Sequence, residues 1–282
     1  MDYALRWSLR LKRSWFRNRH FEVNVPREIP LVPTIDYGYS EMISTAQNWE
    51  DVLIFRAFRG RTHGYYVDLG AGDPNWDSVT NWLYRVGWRG INVEPNPDIF
   101  RTLRLWRPHD TNLNIACSDE PGYIEFHQVH ADTVGHGWGL STVDLEGATR
   151  AHDLGYRVTD SRVMARPLAK VLDQYAIGKT IDVLKIDVEG HEAAILRSGD
   201  WRRHRPSIVV VEAVAPMSAV PTLHRWAPIL LGADYAFMLF DGVNGWFLAN
   251  EAPPDLRNQL MAPVNCNDHF RKATSTDFVL PE

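Results

Sequence analysis

From residue 65 onward, short apolar and β-branched runs alternate with stretches of helical period. Tyr65–Leu69 reads as a first strand, and residues 78–86 as a helix that Gly87 stops. Residues 91–94 read as a second strand. Pro97 then opens a helix to about Trp106, at the one helical position where a missing N–H costs nothing. Residues 112–117 give a third strand and residues 123–128 an extra one. Residues 130–160, rich in glycine and histidine, predict a mobile loop and then a helix at 148–154. A strand at 162–166, a helix at 168–175 and strand four at 181–188 follow. A helix at 191–197, strand five at 208–214 and a helix at 223–231 complete the alternation. Residues 235–240 and 246–248 flank Asp241-Gly242-Val243-Asn244-Gly245, a hairpin signal. Ahead of all this, a helix is expected from about Glu50. Val52, Phe55 and Arg59 share one stripe of it, and Gly60 is its stop.

Strands alternating with helices imply an α/β fold: a parallel sheet with helices on both faces and an antiparallel strand from the hairpin. Strand four, an apolar β-branched run, suits a sheet covered on both sides. Composition changes this picture little: 282 residues, 45% hydrophobic and 23% charged, suffice for one sizeable core. A net charge of −5 argues against nucleic acid as a partner. Cys117 and Cys266 form neither a metal cluster nor a disulfide scaffold, which suggests a reducing compartment. The start Met1-Asp2-Tyr3 has no apolar h-region, and the run 208–211 is too short to cross a bilayer. Together these predict a cytoplasmic protein without a transmembrane segment.

Three regions are expected: a basic extension and connector at 1–39, the main domain at 40–250, and a tail at 251–282 packed on it. In the first 20 residues Arg6, Arg10, Lys12, Arg13, Arg17 and Arg19 interleave with Leu5, Trp7, Leu9 and Trp15. Two readings stay open. One is an amphipathic helix making peripheral contact with an anionic surface; the other is a helix or arm packed on the domain. A homo-oligomer is also left open.

Ligands of open α/β sheets sit beyond the carboxyl ends of the strands. Asp68-Leu69-Gly70-Ala71-Gly72-Asp73 follows the first strand, and its glycines permit close approach of a ligand to the backbone. Glu94 ends the second strand about 20 residues on, the spacing of a carboxylate that grips ribose hydroxyls. The bland alternative for Glu94 is a cap on the helix that Pro97 opens. Residues 117–119, Asp187–Glu189 and Glu212 also sit at strand ends, so all are expected around one crevice. Asp187 and Glu212 interrupt apolar strands, where an unpaired charge is costly. A divalent cation held by both, a salt bridge with Lys185, and hydrogen bonds to substrate hydroxyls are the open explanations. Of the histidines, His130, His136 and His152 read as surface-loop residues, whereas His191 is placed to act as a base.

Several boxes resemble the FkbM family of S-adenosylmethionine (SAM)-dependent methyltransferases. They are residues 47–52, Tyr66-Val67-Asp68-Leu69-Gly70-Ala71, residues 87–97 ending Glu94-Pro95-Asn96-Pro97, Ser141-Thr142-Val143-Asp144, residues 185–192 and residues 209–212. The resemblance covers about residues 40–250. It implies a class I, Rossmann-like, mostly parallel seven-stranded sheet, here with an N-terminal helical extension. It further implies SAM over the first strand ends, with Asp68, Gly70, Ala71, Gly72, Ser78, Glu94, Asn96, Cys117 and Ser118 as the cofactor set. Family members methylate hydroxyls, often on sugars, so a saccharide acceptor is expected, with a mannose-containing oligosaccharide as the specific guess. On that reading Asp187 and Glu212 hold the acceptor hydroxyl, directly or through Mg2+, and His191 or Glu189 takes the proton. The 130–145 loop, with Ser141 and Asp144, is the expected lid, and Asp144 joins the catalytic set. Pro74 departs from the pattern where many SAM loops carry a third glycine. The competing readings are an NAD-dependent oxidoreductase on the same topology and a non-catalytic glycan-binding module with a vestigial crevice.

Overall fold

The computed structural model describes Ile35, residues 42–130 and residues 138–278. The basic N-terminal segment and His136 lie outside the described residues. In chain order the elements begin with β1 (Met42–Ser44), α1 (Glu50–Ala57), β2 (Tyr65–Leu69), α2 (Asn81–Arg85), β3 (Arg89–Val93) and α3 (Pro97–Trp106). Next come β4 (Thr111–Leu113), β5 (Ala116–Cys117), β6 (Gly122–His130), α4 (Leu145–Asp153), β7 (Arg157–Arg166) and α5 (Leu168–Tyr175). The chain continues through β8 (Val183–Ile186), α6 (Glu192–Arg197), β9 (Ile208–Glu212) and α7 (Leu223–Leu231). It closes with β10 (Tyr235–Phe240), β11 (Asn244–Ala249), α8 (Pro254–Gln259) and β12 (Phe270–Lys272).

The main sheet has seven strands in the order β10-β11-β9-β8-β2-β3-β4. Strands β4, β3, β2, β8 and β9 pair in parallel, while β11 runs antiparallel to both β9 and β10. The sheet is therefore mixed, because the hairpin slots its returning strand β11 into the sheet instead of adding it at the edge. Strands β8 and β9 are buried along their whole length, as their β-branched composition demands of strands covered on both faces. Alternation splits the core in two. Val67, Leu69, Ile186, Val209 and Val211 pack with Leu172, Ile195 and Leu230 on one face. Tyr66, Val183, Ile208 and Val210 pack with Ile54, Leu83 and Leu256 on the other.

Three expected elements differ for identifiable reasons. The helix read at 78–86 is only α2, because Ser78 and Thr80 spend their polar groups elsewhere. Ser78 O accepts from Thr45 Oγ1 at 2.7 Å, and Thr80 Oγ1 donates to Asp68 Oδ2 at 2.7 Å. The third strand is broken into β4 and β5, which lie in different sheets. Asn114 sits at the break and donates to the carbonyls of Glu94 and Pro95, both at 2.9 Å. Strand 162–166 begins earlier, as β7, and pairs with the whole of β6, from Gly122↔Ala165 to His130↔Arg157. Its exposed polar positions hid the alternation. Together β5, β7 and β6 make a separate three-stranded sheet.

After the hairpin, Leu256 and Leu260 enter the core cluster that contains Leu53 and Ile54. Arg56 on α1 reaches the same segment: Nη1 donates to Asp268 Oδ1 and Oδ2 at 3.0 and 2.8 Å, and Nε donates to Gln259 O at 3.2 Å. Beyond it β12 pairs in parallel with β1. Among the described residues, no helix is long and apolar enough to cross a membrane.

Candidate active site

Beyond the carboxyl ends of β2, β3 and β8 lies a cavity of about 670 Å3, within the usual range for small-molecule sites. Its floor is the turn after β2. Gly70 has φ +73°, and a Cβ there would lie 1.7 Å from Asp187 O, so the fold admits only glycine. Gly70 N and Ala71 N both donate to Val93 O, which ties the turn to β3. Gly72 has φ +61°, and open space surrounds its missing side chain. That bare backbone faces a cavity to which Gly70, Ala71 and Gly72 all contribute.

Glu94 also lines the cavity. Its Oε2 accepts from Gly72 N at 3.0 Å and its Oε1 from Asn96 N at 2.8 Å. Each carboxylate oxygen has a second lone pair for a ligand donor. Burial pushes its pKa up to about 7, against the pull of those two amides. Capping of α3 falls to Asn96 instead, whose Oδ1 accepts from Asp98 N at 2.9 Å. Asn96 therefore sets the helix, not the cavity wall.

Asp68, 1% exposed, stands behind the glycine turn. Thr80 holds one of its oxygens, and Lys185 Nζ lies 3.4 Å from the other. Lys185 also lies 3.4 Å from Asp187 Oδ2 and donates to Gly70 O at 2.9 Å. Burial opposes its charge, but Asp187 and Asp68 outweigh that and raise its pKa. Lys185 lines the cavity, so a residue expected only as a salt-bridge partner belongs to the wall.

Asp187 and Glu189 line the cavity, and Glu212 stands behind them; one carboxylate oxygen from each falls within 4.8 Å of the others. Glu189 is brought in by an unusual backbone, φ +54°, with its carbonyl accepting from Thr142 Oγ1 at 2.7 Å. Glu212 Oε2 is buried and has no hydrogen-bond partner. Burial, then the neighbouring Asp187 and Glu189, push Glu212 up to about 11, and burial with Asp187 raises Glu189 as well. Three carboxylates with one orphaned oxygen form a donor set suited to a hard divalent cation.

His191 lines the cavity, and its Nε2 lies 2.9 Å from Ser118 Oγ. Burial lowers its pKa, which keeps the imidazole neutral and able to take a proton. Cys117 lines the cavity too, while Ser118 only touches it through His191. Ser78 is turned away, its Oγ accepting from Arg107 Nη2 at 3.1 Å. Asp144 is the N-cap of α4, with Oδ2 accepting from Gly147 N at 2.8 Å. His130 bonds Thr159 on the second sheet, and His152 sits exposed on α4. Residues that the sequence reading did not place here are Gln47, Trp76, Asp77 and Phe126, while residues 139–143 of the expected lid do line the cavity. For Trp76 a signal existed: an aromatic set in the polar turn between Asn75 and Asp77.

These buried acids predict an inverted pH response. Burial pushes Glu50, Glu94 and Glu192 up to about 7 and Asp51 up to about 6. A folded-state pKa above the unfolded value gives stability that is full below the unfolded pKa and lost as pH rises through the folded one. One glutamate moved from its ordinary 4.5 up to about 7 corresponds to about 3 kcal/mol at about 1.4 kcal/mol per pH unit. At about 2–4 °C per kcal/mol, the melting temperature of the unliganded protein is expected to fall by roughly 6–12 °C between about pH 5 and about pH 8. Glu50→Gln, whose amide cannot ionise, is expected to flatten that fall; a melting curve that rises over the same window contradicts it.

The family model for the methyltransferase FkbM domain matches residues 68–239, more than half of the chain. A methyltransferase FkbM from Methylobacillus flagellatus KT is 16% identical with a TM-score of 0.43, covering 71% of this chain and 47% of that one. This chain thus spans about half the length of that protein. An O-methyltransferase from Bacillus cereus, solved in complex with SAH, is 14% identical with a TM-score of 0.32, covering 77% of this chain and 83% of that one. No curated protein matches.

Proposed function

This chain belongs to the FkbM methyltransferase domain family, and we propose that it transfers the methyl group of SAM to a hydroxyl of a saccharide. The observation that carries the reading is the Glu94 carboxylate, which lines the cavity while accepting from Gly72 N and Asn96 N. A carboxylate so fixed is preorganised to accept two vicinal hydroxyls, and the bare Gly70–Gly72 backbone leaves room for the rest of the nucleoside. SAM, when bound, supplies an electrophilic methyl on a sulfonium. The wall suits that charge: Glu94, Asp187 and Glu189 line it against the single cation Lys185 among the described residues. The demethylated product, SAH, lacks the positive charge and so loses that attraction.

The acceptor hydroxyl needs orientation and loss of its proton. Asp187 and Glu189 are the carboxylates on the wall able to accept its hydrogen bond, and His191, neutral and on the same wall, is the proton acceptor. The trio with Glu212 fits Mg2+, which would polarise the hydroxyl oxygen. A mannose-containing oligosaccharide is the acceptor proposed within the class, and a cytoplasmic location goes with it. Incubation with labelled SAM, a panel of oligosaccharides and Mg2+ is expected to yield a methyl increment by mass spectrometry. EDTA is expected to abolish it. An unchanged rate in EDTA removes the metal from the reading, and no methylated saccharide removes the acceptor class.

A further inference from the structure

Three of the largest fully buried side chains are tryptophans, Trp88, Trp226 and Trp246. Trp76 differs: it is 47% exposed and lines the cavity. The fold holds it there deliberately. Asp73 Oδ1 accepts from Asn75 N at 2.8 Å and Trp76 N at 2.9 Å, which fixes the turn. The next residue, Asp77, has φ +52°, a conformation that a residue with a Cβ adopts at a cost, and its backbone bridges to Ala46. From the C-terminal segment, Phe278 meets the indole in a T-shaped contact, ring centroids 4.8 Å apart at 69°. Turn, strained backbone and aromatic brace together keep a large apolar surface at the cavity rather than in the core.

The same cavity carries Asp187 and Glu189, whose carboxyl oxygens can accept hydrogen bonds from hydroxyls. An apolar platform and a pair of hydrogen-bond acceptors match a molecule with an apolar C–H face and a hydroxyl-bearing edge. A pyranose ring has both. Indole presents the largest aromatic face for such packing and needs few rotamers frozen to do so.

We propose that Trp76 is the acceptor platform: a sugar ring packs on the indole while its hydroxyl edge reaches Asp187 and Glu189. This rests on the saccharide reading of the previous section. Trp76 is then a specificity residue for the acceptor, not part of the SAM site, and Phe278 positions it. The C-terminal segment, outside the matched family region of 68–239, thereby takes part in substrate choice.

The test compares wild type with Trp76→Ala, Trp76→Phe and Phe278→Ala. SAH affinity is measured by calorimetry, and KM and kcat with the saccharide that wild type methylates. Trp76→Ala is expected to raise the acceptor KM about tenfold or more, with kcat and SAH affinity within about twofold of wild type. Trp76→Phe is expected to recover part of the loss, and Phe278→Ala to show a smaller rise. An unchanged KM in Trp76→Ala overturns the platform and leaves the function standing. A parallel loss of SAH affinity also overturns it, by placing the indole on the donor. Wild type that binds SAH and methylates no saccharide overturns the acceptor class, and the platform with it.

Discussion

Asp187→Asn is expected to lower kcat by about a thousandfold while SAH affinity stays within about threefold of wild type. The amide keeps the shape of the side chain and removes its charge. Lost with it are the ion pair to Lys185 at 3.4 Å and a hydroxyl-accepting carboxylate on the wall. Impaired proton transfer costs about 10²–10⁴-fold and a misplacement of about 1 Å costs about 10²-fold, so about a thousandfold lies within reach of the two together. Glu212→Gln sharpens the reading. Burial and the adjacent acids push Glu212 up to about 11, so at neutral pH without a metal it is a neutral acid, which glutamine mimics. With a cation in the trio it must ionise to ligate. Glu212→Gln is therefore expected to raise the Mg2+ concentration needed for half-maximal rate by about 10-fold or more, the scale of losing a supporting group at a metal site. Wild-type Mg2+ dependence in that variant, read from steady-state rates, contradicts the cation.

The second large effect is on stability. Asp268→Ala is expected to cost about 3–5 kcal/mol, the range for removing one partner of a buried ion pair. At about 2–4 °C per kcal/mol the melting temperature falls by roughly 6–20 °C. Both side chains of the pair are 2% exposed. The remaining bonds of Arg56, to the carbonyls of Gln259 and Ala262, keep the guanidinium buried after its counter-ion is gone. Replacing both partners, Arg56→Met with Asp268→Leu, is expected to cost less than Asp268→Ala alone, because no charge is then stranded. Equal melting temperatures for Asp268→Ala and wild type contradict the assignment.

Local signals account for what the sequence revealed. Strands β2, β8 and β9 are apolar on both faces, and both faces are covered. Pro97 and Asn96 set the start of α3 through a cap that needs no distant residue. Gly70, Gly72, Glu94 and Asp187 were legible as cavity residues because each sits at the end of a strand, where topology alone determines position. Polar residues one turn further along were not. Ser78, Asn96 and Asp144 look like ligands in one dimension, yet each satisfies local backbone or a neighbour: Arg107, the start of α3 and the start of α4. Non-local facts were out of reach in a different way. That β11 inserts between β9 and β10, making the sheet mixed, depends on register with β9. Glu189 was expected in one crevice with Asp187 and Glu212, but the positive φ that brings it there is not encoded in composition. Trp76 reaches the cavity through a turn whose direction is set by Asp73 and Phe278, residues far apart in the chain.

A crystal structure with SAH bound tests the central claim most directly. The ribose hydroxyls are expected within hydrogen-bond distance of Glu94, with the chain of SAH running along Gly70–Gly72 and its sulfur facing the Asp187 and Glu189 wall. A nucleoside bound elsewhere, or NAD occupying the cavity while SAH leaves it empty, contradicts the account.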